Sequence, residues 1–425
     1  MELQMTKSEK IRESLSRTKD IRQRQVARTY VLKLEKLSRD KRKLLERAFL
    51  EAKWLYNWTI HQEDVFSIDG NKVKKVHVKV GEDFEERELT ILGSQVRQEI
   101  ADRIKDSIKA LSRLKENGMK VGRLKPKKRV NSIPFKQYGV SHKIDFEKKR
   151  VHLQKLGSFK VRGLNQTPEN AELTKALLVR KPSGYYVHIT CYLPKENRKS
   201  IDKPIAIDFG VKDKLTLSNG LKIDFEIPES KRLKRLQKEL VKKEKGSKNR
   251  EKTRQKLARE YERINNRRKD AINKIIAFLK LYSLVIFQDD SVKSWHEGLF
   301  SREVQYSGIG KLKERLCSSL LPVLEVDRFE LTSRVCSKCG AYFEDLRLSD
   351  RTVFCPECGN FMDRDLNACL VMLKKVSPAL RVVGQGLPEL TPVEREASAR
   401  ILGSNPHIRV SYLVEAGSSM LYSME

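Results

Sequence analysis

No run in this sequence approaches the ~20 consecutive apolar residues of a membrane-spanning helix, and residues 1–20 (MELQMTKSEKIRESLSRTKD) lack the apolar stretch of a secretory signal. Neither an integral membrane protein nor a secreted one is expected. Acidic charge is also short. Against 88 Lys and Arg stand 56 Asp and Glu, which leaves a formal charge of +32. Self-repulsion of that size exceeds what solubility requires and is relieved by a polyanion, so nucleic acid is the expected partner. Cysteine is scarce, with seven in 425 residues, and four fall in one short stretch. That usage fits a reducing cytoplasm. The other three (Cys191, Cys317 and Cys369) sit in apolar contexts and are expected to be small buried residues.

The clustered cysteines form two Cys-x-x-Cys pairs, Cys336/Cys339 and Cys355/Cys358, with fifteen residues between them. Four thiolates at this spacing suit a tetrahedral zinc site that holds a small ribbon. Such a site has no open position, so the zinc would be structural. An acidic pair, Asp363 and Asp365, follows at a helix start. Carboxylates there suit a harder cation.

In chain order, residues 1–24 are polar and basic without a persistent apolar stripe, and read as a flexible basic arm. Residues 26–34 (VARTYVLKL) alternate like a strand. Ser38 and Asp40 can cap a helix whose apolar face includes Leu44, Leu45, Ala48, Phe49, Ala52 and Leu55. Trp54, Tyr56, Asn57 and Trp58 at its end read either as core or as contacts to bases. Residues 72–80 suggest a hairpin arm, and residues 93–115 a second helix. The loop 115–129 (KENGMKVGRLKPKKR) is the densest basic segment, extended by Gly and Pro along a phosphate backbone. From 132 to 193 the period becomes two, as in strands and hairpins.

A charged linker at 196–203 precedes a second region. An apolar strand at 205–207 ends in Asp208, and two further strands complete a meander. Residues 230–281 form a long basic helical stretch that Gly246-Ser247 should break into a hairpin. Strand 284–287 (LVIF) leads into Gln288, Asp289 and Asp290. A helix at 309–320, a strand at 323–329 and Glu330 follow before the ribbon. The order β-β-β-α-β-α-β-α, with an Asp ending the first strand, is the ribonuclease H-like layout. It brings Asp208 and the helix-start aspartate to one end of the sheet. Bunched carboxylates repel unless cations lie between them, and two Mg²⁺ about 4 Å apart would position water and a phosphodiester. The expected fold class is therefore α+β multidomain: a β-barrel (residues 25–36 and 130–197) with a helical insertion (37–129), and a ribonuclease H-like α/β domain (203–333 and 360–376) with an inserted zinc ribbon (334–359). A loose tail (377–425) ends the chain.

Residues 205–210 (IAIDFG), Arg267-Arg268-Lys269, 332–340 (TSRVCSKCG), 355–359 (CPECG) and 363–368 (DRDLNA) together resemble the TnpB family, transposon-associated RNA-guided nucleases with a RuvC-like domain, and the related small type V CRISPR effectors. The resemblance implies a wedge domain with a recognition insertion, a guide RNA, a double-stranded DNA target beside a short motif, Mg²⁺-dependent cleavage by a cytoplasmic, prokaryotic monomer or homodimer, and association with the nucleoid when on DNA. It places Asp208 and Asp365 on metal and leaves Asp363 to cap the helix. It offers Tyr56 and Asn57 for motif reading, and Lys125, Lys127, Lys128, Arg129, Arg267 and Arg268 for nucleic-acid contact. One departure stands out. The family usually has Glu where this chain has Gln288. Glu330, which follows the neighbouring strand at the same end of the sheet, is the expected third catalytic and Mg²⁺ ligand, with Asp290 as the fallback (Asp289 has the wrong strand parity); otherwise the protein binds DNA under RNA guidance without cutting, as a repressor. An RNA-free transposase or junction resolvase is a further alternative.

Overall fold

The computed structural model describes residues 6–195, 201–210, 213–291, 307–319, 321–347, 349–376 and 391–413. The chain divides into two units, Met1–Glu196 and Asn197–Glu425, with the boundary in the charged linker.

Unit one begins with a helix, α1 (Lys7–Gln23), where a flexible arm was expected. Lys, Arg and Glu are strong helix formers and need no buried stripe to adopt the conformation. Arg22 pins its end through an ion pair with Glu172 and a stack 3.6 Å over the Tyr192 ring. Strand β1 (Gln25–Glu35) follows, then helix α2 (Arg39–Thr59) with Ser38 as N-cap. A hairpin of β2 (Lys75–Val80) and β3 (Asp83–Glu88) precedes helix α3 (Ser94–Glu116). Six more strands then complete the unit's main sheet: β4 (Ser132–Phe135), β5 (His142–Asp145), β6 (Arg150–Leu153), β7 (Gly157–Arg162), β8 (Glu172–Lys181) and β9 (Gly184–Pro194). Their order is β4-β8-β9-β1-β7-β6-β5, antiparallel throughout. β4 and β5 are its edges, and no pairing closes the expected barrel among the described residues.

The aromatics ending α2 belong to the core: Trp54 and Tyr56 are buried, and Trp58 packs against the same cluster. Glu51, fully buried, accepts hydrogen bonds from the Ile91 and Leu92 amides (2.9 and 3.1 Å), from Thr90, and from Arg47. It thereby ties α2 to the segment entering α3, as a buried carboxylate must be tied.

In unit two, β10 (Ile201–Asp208), β11 (Leu215–Leu217) and β12 (Leu221–Phe225) form the expected meander. α4 (Lys231–Lys242) and α5 (Lys248–Leu279) form the expected hairpin. Gly246 takes φ +91° and Ser247 caps α5. β13 (Tyr282–Gln288) pairs parallel with β10. Helix α6 (Ile309–Cys317) and strand β14 (Val323–Val326), parallel to β13, come next. β14 stops short of the expected end at 329 because Asp327 folds the chain back, accepting from the Phe329 amide at 2.8 Å. β15 (Thr352–Phe354) and β16 (Phe361–Asp363) form the ribbon hairpin, and α7 (Arg364–Val376) follows directly.

The tail departs most from expectation. Its described part holds helix α8 (Pro392–Ile401), opened by a Thr391/Glu394 capping box, and strand β17 (Ile408–Tyr412), which extends the sheet to β14-β13-β10-β11-β12-β17. β10 lies at the centre. Cys191 and Cys369 are buried as expected, but Cys317 is exposed at the end of α6. Among the described residues no helix is long and apolar enough to cross a membrane.

Candidate functional site

Asp208 is the last residue of β10, with Phe209 and Gly210 turning the chain away. A Cβ at Gly210 would stand 2.4 Å from the Asp213 carbonyl oxygen, so only glycine fits this turn. β13 runs beside β10 in parallel, with Phe287 opposite Ile207, and its exit carries Asp290 to the same end of the sheet. α7 starts there with Asp365 in its first turn.

These carboxylates act on one another. Burial holds the Asp208 carboxyl well above the ordinary Asp range, and the negative charges of Asp365, Asp290 and Asp363 push it the same way, against Arg364. Burial also raises Asp290. Asp289 faces elsewhere, paired with Lys313 at 2.9 Å and Arg328 at 3.0 Å, and lies below its usual value for that reason. Strand alternation thus separates Asp289 from Asp290 as their parity predicts. Asp363 caps α7, accepting from the Asp365 and Leu366 amides at 3.0 and 3.1 Å, and pairs with Lys222 at 2.8 Å. The Cys369 thiol, fully buried on α7, donates to the Thr216 carbonyl at 3.2 Å and walls this site from below.

Glu330 lies apart from this group. Its carboxylate is exposed and paired with Lys375, near the far end of α7, about 15 Å along the helix from Asp365. Its loop follows β14, two strands from β10, or about 10 Å across the sheet. Gln288 contacts the same loop. Its Nε2 donates to the carbonyls of Asp327, Arg328 and Glu330, at 3.1, 3.2 and 2.9 Å.

In the ribbon the four cysteine sulfurs lie within 4.8 Å of one another, the one group of three or more metal-ligating atoms that close among the described residues. The carboxylates at the sheet end are more open. Zn–S bonds of about 2.3 Å place tetrahedral sulfurs about 3.8 Å apart. The Cys336–Cys358 and Cys339–Cys355 contacts, 3.7 and 3.4 Å, suit that geometry. Burial raises the Cys336 thiol, but the amides of Cys339 and Lys338 and the neighbouring thiols outweigh it and bring it down to about 7. The donor set fits zinc. Ser337 joins the ribbon to α7: its amide donates to Asn367 Oδ1 at 2.8 Å, and Asn367 Nδ2 donates to the Val335 carbonyl at 2.8 Å.

Of the residues read as nucleic-acid contacts, Lys125, Lys127, Lys128, Arg129 and Arg267 are exposed. Tyr56 and Asn57 do other work. Asn57 clamps the Lys127 backbone, donating to its carbonyl at 3.1 Å and accepting from its amide at 2.8 Å. The Lys127 ammonium lies 3.8 Å over the buried Tyr56 ring. Both residues therefore fix the basic loop on the end of α2. Arg268 is partly buried, its Nε without a partner among the described residues. An open cleft of about 320 Å³ lies beside α3, lined by Asn71, Gln95, Gln98, Glu99, Lys136 and Gln137. Sequence reading missed this carboxamide group. Its only linear signal is Gln95, Gln98 and Glu99 on one face of α3, because Asn71, Lys136 and Gln137 come from other segments.

Residues 187–280 match the family described as "Probable transposase", and residues 310–372 the one described as "Cas12f1-like, TNB domain". The chain is 30% identical over 218 residues to "Putative RNA-guided DNA endonuclease" of Streptomyces pristinaespiralis, an alignment covering 49% of this chain and 54% of that protein. It thus spans about half the length of that relative. It is 25% identical over 332 residues to "Putative RNA-guided DNA endonuclease InsQ" of Escherichia coli (strain K12), covering 70% of this chain and 80% of that protein. These matches bear out the resemblance to the TnpB family read from the sequence.

Proposed function

We propose, on the likeness to the TnpB family, that this protein is an RNA-guided DNA endonuclease that hydrolyses target DNA beside a short motif. The observation that carries this reading is the crowding of Asp208, Asp290 and Asp365 at one end of a sheet ordered β14-β13-β10-β11-β12, next to a four-cysteine ribbon. Unit two is then the RuvC-like domain with its ribbon, and unit one the wedge with its recognition insertion. Guide RNA and double-stranded target DNA are the partners, engaged by a prokaryotic, cytoplasmic protein acting as a monomer or homodimer.

The carboxylates fit Mg²⁺: the charges of Asp365 and Asp290 disfavour ionisation of the buried Asp208, which is the penalty a divalent cation between them removes. When bound, two such ions supply charge neutralisation at the scissile phosphate and lower the pKa of water. Asp208, Asp365 and a third carboxylate hold them, while Asp363 keeps the α7 start in place. Asp290 suits the third position better than Glu330 in this arrangement, since it follows the strand adjacent to β10 and its charge reaches Asp208, while Glu330 pairs with Lys375. The exposed lysines of the 115–129 loop neutralise phosphates, and the Gln95/Gln98/Gln137 cleft offers paired donors and acceptors suited to base edges.

The test is plasmid cleavage by the protein co-expressed with its RNA, with Mg²⁺. Asp208→Ala and Asp365→Ala should each abolish cutting while RNA-directed DNA binding persists. Asp290→Ala should do the same, and Glu330→Ala should leave cutting within about threefold. The reverse pattern would assign the third ligand to Glu330. A nuclease-inactive, RNA-guided repressor is the second reading, favoured by Gln288 where the family usually has Glu. Guide-dependent binding without any cleavage would establish it.

A further inference from the structure

Gln288 has more partners than a vestigial ligand needs. Three carbonyls of one loop surround its Nε2 within 3.2 Å, and Thr332 Oγ1 donates to its Oε1 at 2.9 Å. A group of three acceptors fixes which end of the amide is nitrogen. The contacted loop, Asp327 to Thr332, connects β14 to the first ribbon cysteines. Beside it, Asp289 pairs with Arg328 of the same loop at 3.0 Å, and its amide donates to the Val326 carbonyl at 2.8 Å.

We infer that Gln288 is a positioning residue, an amide clamp that holds the ribbon-entry loop against the exit of β13 and so fixes the segment from which Asp290 projects. Its side chain is turned toward β14, away from β10 and Asp208. A hydrogen-bond donor is required there. Glutamate has nearly the same shape but, when ionised, only acceptors, so it would keep the Thr332 contact and set a carboxylate against three carbonyl oxygens. An acid at this place would therefore open the loop and would not complete a metal site. The consequence for cleavage rests on the nuclease reading above, whereas the clamp itself does not.

The experiment compares Gln288→Glu, Gln288→Met and Gln288→Lys in the full-length protein, with zinc content and circular dichroism as folding checks. Amide exchange is followed by mass spectrometry over residues 327–333, and Mg²⁺ affinity by the Mg²⁺-induced shift in melting temperature. Loss of donors should speed exchange in the loop at least tenfold in the Glu and Met variants. Lysine, with three donors on a longer stem, should restore protection to within threefold of the parent. Mg²⁺ affinity of the Glu variant should be no tighter than the parent's. Parent-like loop protection in the Glu variant, or a tenfold gain in its Mg²⁺ affinity, would overturn the inference. If no variant and no parent cleaves DNA while exchange follows the donor pattern, the clamp stands and the nuclease reading falls.

Discussion

Glu394 offers a sharp test of how the C-terminal segment is joined to the nuclease-like sheet. The side chain is fully buried. Its Oε2 accepts from Lys203 Nζ, the Thr391 amide and Thr391 Oγ1, each at 2.9 Å, and its Oε1 from Tyr282 OH at 2.8 Å and Asn219 Nδ2 at 3.2 Å. Glu394→Ala would leave Lys203 without its partner and four further donors unsatisfied. Breaking a buried charge pair costs about 3–5 kcal/mol. Lys203 keeps a third of its side-chain surface in solvent, so the lower part of that range applies, about 3–4 kcal/mol. At about 2–4 °C per kcal/mol for a unit of this size, melting should fall by about 6–16 °C. The loss should localise, with exchange rising first in β17 and its partner β12. Replacing both charges, Lys203→Met with Glu394→Leu, should recover at least half of the loss, because neither charge is then left buried alone. Burial raises the Glu394 carboxyl, but Lys203 and the other donors outweigh it and hold it below its ordinary 4.5. Its stabilisation is therefore full above that pH and is lost as pH falls through the folded-state value, so the gap between parent and variant should narrow below about 4.5. Scanning calorimetry and exchange on the full chain read all of this. A Glu394→Ala protein melting within 1 °C of the parent, with β17 exchange unchanged, would refute the reasoning.

Asp208→Asn should raise the melting temperature of the metal-free protein at pH 7–8. The folded-state carboxyl is raised by burial and by like charges, so its contribution to stability is present at low pH and lost as pH rises. The difference should shrink toward pH 4 and on adding Mg²⁺, and scanning fluorimetry with and without EDTA measures it; equal melting at pH 8 would count against the crowded site. Cys355→Ser should lower bound zinc from one to near zero per chain by elemental analysis and raise exchange across residues 336–362, leaving β10–β13 protected. Retained stoichiometric zinc would exclude a four-thiolate site. Lys125→Ala, Lys128→Ala and Arg129→Ala together should weaken nucleic-acid binding and flatten its log–log salt slope by about 0.7–0.9 per lost phosphate contact, read by fluorescence anisotropy between 50 and 200 mM salt. An unchanged slope would remove the loop from the binding surface.

Several features were legible in the linear sequence because their chemistry is local. The four-cysteine cluster is set by two Cys-x-x-Cys turns, and the helical hairpin by a glycine and a capping serine at 246 and 247. Asp208 was visible as the acid ending an apolar strand, and Asp290 could be separated from Asp289 by parity alone. Long-range pairing was not legible. α8 and β17 lie in a segment of weak periodicity, and they are held by a strand partner and by donors far upstream (Lys203, Asn219 and Tyr282) that converge on the buried Glu394 carboxylate. Tyr56 and Asn57 read either as core or as recognition residues, and which of these holds was not legible because both are engaged by Lys127, about seventy positions on in the chain.

By itself the sequence determined the excess of positive charge, the four-thiolate ribbon and the strand-ending aspartate, since each depends on composition or on residues a few positions apart. Only the tertiary structure decided which carboxylates lie at the end of β10 and which lie away from it. Glu330 and Asp290 are equally acidic in sequence, but parallel pairing sets β13 next to β10, while β14 lies one strand further out and its following loop meets Lys375. It likewise decided what Gln288 does, because three carbonyls converge on its amide only when the loop after β14 folds back over the end of β13.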